Sequence, residues 1–283
     1  MAMLNEQHDV VVSDLMTTEV ERVPAEATAA TALEWFEERG YTAAPVADTS
    51  PTASVTAAAV ADAAEETPDE TLATLAEPVS LSRLLSPKLG FGGMLDALRE
   101  EPIYFVGWDG EVVGVISRAD LNKPPAHAHL YTLVYELEAR LRDLIDERTD
   151  WEVILRNVGY DGDGHSTEYD KLRAEYEEYV DADLHLRPVD YTTFWQLERV
   201  VEEHDDLWTL LPFSSQDRAV RKLGAIRDLR NQVAHYGNVI HSMDADLLAS
   251  GRDIIGLKET YSAIVDVNSA LRDHQTGEPT ASA

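Results

Sequence analysis

Arg230, Asn231 and His235 stand near the end of the segment 216–235, QDRAVRKLGAIRDLRNQVAH. At helical spacing, Arg227, Arg230, Asn231 and His235 share one arc of about 140°, and Leu229 and Val233 lie away from it. A guanidinium stays charged and grips oxyanions such as phosphate with two prongs. An imidazole takes or gives a proton near neutral pH. The carboxamide of Asn231, four residues before His235, can orient either the ring or the anion. The segment carries Arg218, Arg221, Lys222, Arg227 and Arg230 against Asp217 and Asp228, a local reversal of sign in a chain with formal net charge −30. A structural reading stays open beside the chemical one. Arg230 can turn inward onto backbone carbonyls, and His235 can be a satisfied core group before Gly237 ends the helix.

The composition narrows the rest. A chain of 283 residues has room for two ordinary domains. It contains no Cys, which excludes disulfide scaffolds, Cys-ligated zinc, iron–sulfur clusters and thiol catalysis. The start, MAMLNEQHDVVV, lacks a basic region followed by an apolar one, and no apolar run approaches the ~18–20 residues that cross a bilayer. A soluble, cytoplasmic protein with no membrane partner is expected. The acidity, with Lys only at 88, 123, 171, 222 and 258, resembles that of proteins from halophilic archaea. In molar salt the Debye length falls to about 3 Å, so such a charge repels little and argues neither for nor against an RNA partner. No metal site is expected. Asp161-Gly-Asp163-Gly-His165 fails as a calcium loop because its sixth and twelfth positions are Ser166 and Leu172. His127 and His129 lack a third ligand nearby, so a structural or surface role is expected. No Walker-type loop, Rossmann glycine fingerprint or Gly-x-Ser-x-Gly elbow is present.

The elements that must position these residues fall into two textures. Between 10 and 122, short β-like runs alternate with helical ones. Thr28 is the expected N-cap of a helix bearing Ala32, Leu33 and Phe36 and ending at Gly40. Asp109-Gly110 reads as the turn of a hairpin. Residues 47–80, with ten Ala, six Thr and no Lys or Arg, are expected to be partly a flexible excursion, while Ser54–Val60 can also be read as a poor strand. Pro124-Pro125 marks an expected linker over 123–129. Beyond it Leu130, Val134, Leu137, Leu141 and Leu144 repeat at 4-3-4-3 spacing, suiting a bundle helix first and a dimer seam second. Helical patterns follow at about 168–181, 190–206, 215–236 and 243–273. The expected division is 1–122, a linker, an all-α domain over 130–276, and a disordered tail over 277–283.

The order strand–strand–helix–strand–strand–helix, with Asp14-Leu15-Met16-Thr17 near its start and Gly114-Val115-Ile116-Ser117-Arg118-Ala119-Asp120-Leu121 near its end, resembles a tandem cystathionine-β-synthase (CBS) domain pair. The resemblance covers about 10–122 and implies an α+β domain of βαββα-type repeats that binds an adenosine ligand such as AMP, ADP or ATP. It implies that Ser117 meets a phosphate at a helix start, that Asp120 accepts from ribose hydroxyls, and that Val23, Ala44 and Pro45 lie near the base. In the first repeat Asp62 aligns with Asp120, leaving Ala59 for the hydroxyl and Thr56 for the glycine, so one intact site at most is expected. Capping alone also explains Ser117 and Asp120.

Arg230-Asn231-Gln232-Val233-Ala234-His235 resembles the Arg-polar-x3-His motif of the HEPN (higher eukaryotes and prokaryotes nucleotide-binding) superfamily of helical bundles, over about 128–275. Many members are metal-independent endoribonucleases. The resemblance implies a helical bundle, commonly paired, acting on RNA, with Arg230, Asn231 and His235 as the catalytic set. Such cleavage deprotonates a 2′-hydroxyl, stabilises a phosphorane and protonates the leaving oxygen. One His supplies one proton-transfer group, so a homodimer that joins two motifs is expected. Some relatives carry Tyr two residues after the His; here Gly237 stands there, with Tyr236 one residue earlier. The alternative is a non-catalytic regulatory adaptor whose helical domain dimerises or binds a protein partner.

Overall fold

The computed structural model describes residues 9–50, 52–158, 167–180, 186–204, 206–235, 237–240 and 253–276. The tail 277–283, Tyr236 and residues 161–166 lie outside the described residues, as does the start of the helix expected from 243. The chain divides into two compact units, Met1–Ala126 with Ser242–Ile254, and His127–His241 with Ile255–Ala283.

Unit 1 is built from two repeats. The first runs through α1 (Val12–Leu15), α2 (Ala29–Arg39), β1 (Ala43–Pro45), β2 (Ala53–Thr56) and α3 (Ala57–Glu66). The second runs through α4 (Leu72–Leu75), β3 (Glu77–Pro78), β4 (Leu84–Leu85), α5 (Phe91–Glu100), β5 (Ile103–Trp108), β6 (Glu111–Ser117) and a closing 3-10 turn, Arg118–Asn122. Local chemistry sets many of these bounds. Thr28 caps α2 by accepting from the Thr31 N–H, and Gly40 ends it at φ 64°. Asp109 and Gly110 both have positive φ, as a two-residue hairpin turn requires.

The repeats trade their leading pieces. β3 pairs with β2 of the first repeat, whereas Thr17, ahead of the first repeat's helix, bridges to Val115 on β6 of the second. Likewise Val12 N–H donates to Leu89 O, and Leu72 N–H donates to Ala27 O, so each short helix docks against the other repeat. Part of this exchange runs through the stretch 47–80. An Ala- and Thr-rich stretch shows little hydrophobic periodicity, but it carries β2, α3, α4 and β3, and β2 and β3 are ordered by sheet hydrogen bonds. Gly114 permits the close approach on β6. A Cβ there would lie 2.8 Å from Met16 Sδ and 3.0 Å from Thr17 O.

Unit 2 is helical, with α6 (Pro124–Arg148) beginning just before its boundary, then α7 (Trp151–Arg156), α8 (Glu168–Val180), α9 (Phe194–Glu203), α10 (Gln216–Ala234) and α11 (Ile254–Thr276). Residues 124–129 of the expected linker therefore open α6. Proline has no N–H to lose there, and its fixed φ suits a helix start. Leu130, Val134, Leu137, Leu141 and Leu144 are all buried in the single chain. That settles the stripe as core and removes it as a dimer seam. Asn268 on α11 ties the same helix down, donating to Leu133 O and accepting from Arg140.

His127 is 8% exposed, and among the described residues neither ring nitrogen has a hydrogen-bond partner. Burial pushes its imidazole below the usual range. The neutral ring is thus favoured in the folded state, while the unfolded chain takes up the proton near pH 6.5. Folding stability is expected to fall as pH drops through and below that value. Urea midpoints of His127→Leu should lose part of that acid dependence; a pH dependence identical to wild type would show that His127 is not its source.

Candidate functional site

Two candidate sites emerge, one in each unit. In unit 1, Ser117 closes β6 and both its N–H and Oγ–H donate to Asp120 Oδ2, at 2.6 and 2.9 Å. The other carboxylate oxygen meets Lys123 Nζ at 2.7 Å. Lys123 also donates to Leu15 O at 2.6 Å and lies 3.3 Å from Thr17 Oγ1. The two sequence segments that carry the first resemblance therefore meet through Gly114 and Lys123. Asp120 is buried and fully engaged: any diol that took its oxygens would compete with a cap and with an ammonium. Val23 and Ala44 belong to the apolar core beside α2, and Pro45 is buried with them. Val23 N–H donates to Pro45 O at 3.0 Å.

The first repeat differs from its expected alignment. Thr56 is the last residue of β2 and caps α3 through the Ala59 N–H. It thus holds the place that Ser117 holds at the end of β6. The first repeat keeps the hydroxyl and has Ala59 where the second has Asp120. A register shift of three residues, invisible in an Ala-rich stretch, accounts for the difference.

In unit 2, α8, α9 and α10 enclose a cleft of about 690 Å³. Its wall includes Lys171, Arg199, Arg227, Arg230 and Asn231, with Trp195 beside them. Each guanidinium is anchored. Arg227 bonds Glu198 and Asp228, Arg199 bonds Glu202 and Glu203, and Arg230 Nε lies 3.2 Å from Glu138 Oε1. Glu138 is buried and also meets Arg142 at 3.5 Å, so one carboxylate of α6 holds two cations. Burial pushes the Glu198 carboxyl up, and Arg227 opposes that shift. Gly224 leaves room for this pair, since a Cβ there would lie 3.2 Å from Glu198 Oε1. Glu168, the one acid among the described residues of the cleft wall, is buried and accepts from Gln196 at 2.9 Å.

Arg230 and Asn231 thus share the cleft, but His235 is not among its lining residues. It is the exposed C-cap of α10, with its N–H donating to Asn231 O. Gly237 N–H returns to Gln232 O at 2.8 Å and closes the helix. Arg230 turns onto a carboxylate rather than onto backbone carbonyls. Glu138, Lys171, Trp195 and Arg199 escaped the sequence reading. The one pattern in the chain was Glu138 four residues before Arg142, a spacing shared by ordinary solvated pairs on a helix. Among the described residues no cluster of His, Asp or Glu could hold a metal, and no helix is long and apolar enough to cross a membrane.

No family model matches the chain, and no curated protein matches it. Among solved structures, the N-terminal part is similar to several that contain CBS domains. A putative acetoin utilization protein (AcuB) from Vibrio cholerae is 17% identical, with TM-score 0.36, over 40% of this chain and 87% of that one. A CBS domain-containing protein from Bacillus anthracis is 20% identical, with TM-score 0.35, over 40% and 89%. CBSX2, solved in complex with AMP, is 20% identical, with TM-score 0.36, over 42% and 97%.

Proposed function

We propose that this protein is a nucleotide-sensing ribonuclease: unit 1, a CBS pair, binds an adenine nucleotide and controls unit 2, a HEPN-like metal-independent endoribonuclease that works as a homodimer. The observation that carries the reading is the cationic cleft in a chain of formal net charge −30, with Arg230 and Asn231 in its wall. Preorganised guanidinium groups in a partly buried wall favour the charge that develops on a phosphorane. His235, exposed at the adjoining helix end, supplies one proton transfer, and the second copy supplies the other. Ser117 and Asp120 would present the phosphate and ribose contacts in unit 1.

A second reading has its own support. Arg230 is already paired with Glu138, and His235 stands outside the cleft, an arrangement that also suits an adaptor without catalysis. Two measurements separate the readings. Labelled RNA should be cleaved with EDTA present, and AMP or ATP should change the rate. Each nucleotide that binds should also raise the melting temperature in a concentration-dependent way, by about 2.7 kcal/mol of stability at a hundredfold excess over its Kd. Asp120→Ala should abolish that rise. Melting curves unmoved by any adenine nucleotide would remove the sensor, and no cleavage of any RNA would leave the adaptor.

A further inference from the structure

The cleft continues past Arg199. Val158 and Arg199 also line a second hollow of about 330 Å³, walled otherwise by Ile154, Asn157 and Glu203. The two hollows share that wall, so a groove runs from Asn231 on α10 past α9 to Asn157 at the end of α7. Lys171 reaches it from α8, Arg199 from α9 and Arg227 from α10. The terminal nitrogens of Arg199, which carry its ion pairs to Glu202 and Glu203, are its part in the shared wall. Trp195 lines the same wall at 36% exposure. A large ring so open beside several cations matches the two needs of a single nucleic-acid strand, charge for its backbone and a flat face for its bases. An acidic peptide would use the cations and have no need of the ring.

We infer that this groove seats a single strand of RNA, its phosphates on Lys171, Arg199 and Arg227 and one base stacked on Trp195. The choice of RNA over another polyanion rests on the ribonuclease reading of unit 2, whereas the groove itself does not. Glu168 and Glu203 stand in its walls. They are engaged by Gln196 and Arg199 respectively, and they would limit affinity where the backbone passes them. Trp195 is then a positioning residue that sets which nucleotide faces Arg230 and Asn231.

The test is fluorescence anisotropy of the full chain with a labelled 2′-O-methyl RNA oligomer, which cannot be cleaved, over a series of KCl concentrations. Three phosphate contacts predict a log–log salt slope near −2, and Lys171→Gln should reduce its magnitude by about 0.7. Trp195→Ala should weaken binding about tenfold and Trp195→Phe should recover most of it. If Trp195→Ala fails to match the wild-type circular dichroism, the exposed Lys171 carries the test alone. Wild type that binds nothing, variants that bind as wild type does, or a poly-glutamate that competes as well as the oligomer would each overturn the inference. Cleavage with unaltered variant binding would spare the ribonuclease reading and sink the groove. Binding that follows the variants, without cleavage of any RNA, would do the reverse.

Discussion

His235→Ala is expected to lower the initial rate of RNA cleavage in EDTA by about 10²–10⁴-fold while leaving the melting temperature unchanged. The size follows from removing a positioned proton-transfer group. The absence of a stability cost follows from its setting. His235 is exposed at the C-cap of α10, and the hydrogen bond given for it runs from its backbone N–H to Asn231 O, which alanine keeps. Substitutions at such positions usually change stability by less than about 0.5 kcal/mol. Asn231→Ala should fall between wild type and His235→Ala, because an amide that orients is worth less than a group that moves the proton. Initial rates on one labelled RNA, with melting curves of the same samples, decide the matter. Equal rates for wild type and His235→Ala would remove this histidine from the chemistry.

Glu138→Ala is expected to destabilise unit 2 by about 3 kcal/mol, the largest stability effect in the candidate site. The carboxylate is buried between Arg142 and Arg230, and its loss strands both cations. The cost sits at the low end of the usual range because Arg142 also donates to Thr192 O at 2.8 Å, and because Arg230 is more than one-third exposed. Glu138→Gln keeps an acceptor and loses the charge, so about 1–1.5 kcal/mol is expected. Arg230→Ala should cost less still, since Arg142 continues to satisfy Glu138. Urea denaturation of the three variants should give that order, and thermal melts should show a fall of roughly 10 °C in the unit 2 transition for Glu138→Ala. A larger loss for Arg230→Ala than for Glu138→Ala would mean that the guanidinium, not the acid, is the anchor. Cleavage by Glu138→Gln should also drop with His235 intact, because Arg230 would no longer be held in place.

These two positions differ in how far they could be read from the chain. Arg230 and His235 announced themselves by type and spacing, and helical geometry alone placed them on one face. Glu138 did not, since an acid between Leu137 and Leu141 looks like any solvated residue on a helix. What makes it an anchor is a partner 92 residues away. His235 carries the opposite lesson. Sharing a helix face with Arg230 did not bring it into the same cleft, because the helix ends at Ala234 and the chain turns there.

The sequence by itself determined whatever depends on neighbours along the chain. Thr28 and Gly40 bound α2, Asp109-Gly110 turns the second hairpin, and the 4-3-4-3 stripe buries one face of α6. Such signals survive because a cap, a turn or a periodic face is complete within a few residues. Tertiary structure alone decided the exchange of leading pieces between the repeats, the equivalence of Thr56 and Ser117, the hold of Lys123 on Leu15 O, and the cleft drawn from α8, α9 and α10. An unpaired backbone edge accepts any strand, and a lone charge accepts any counterion. Which partner each receives is settled only when distant segments pack.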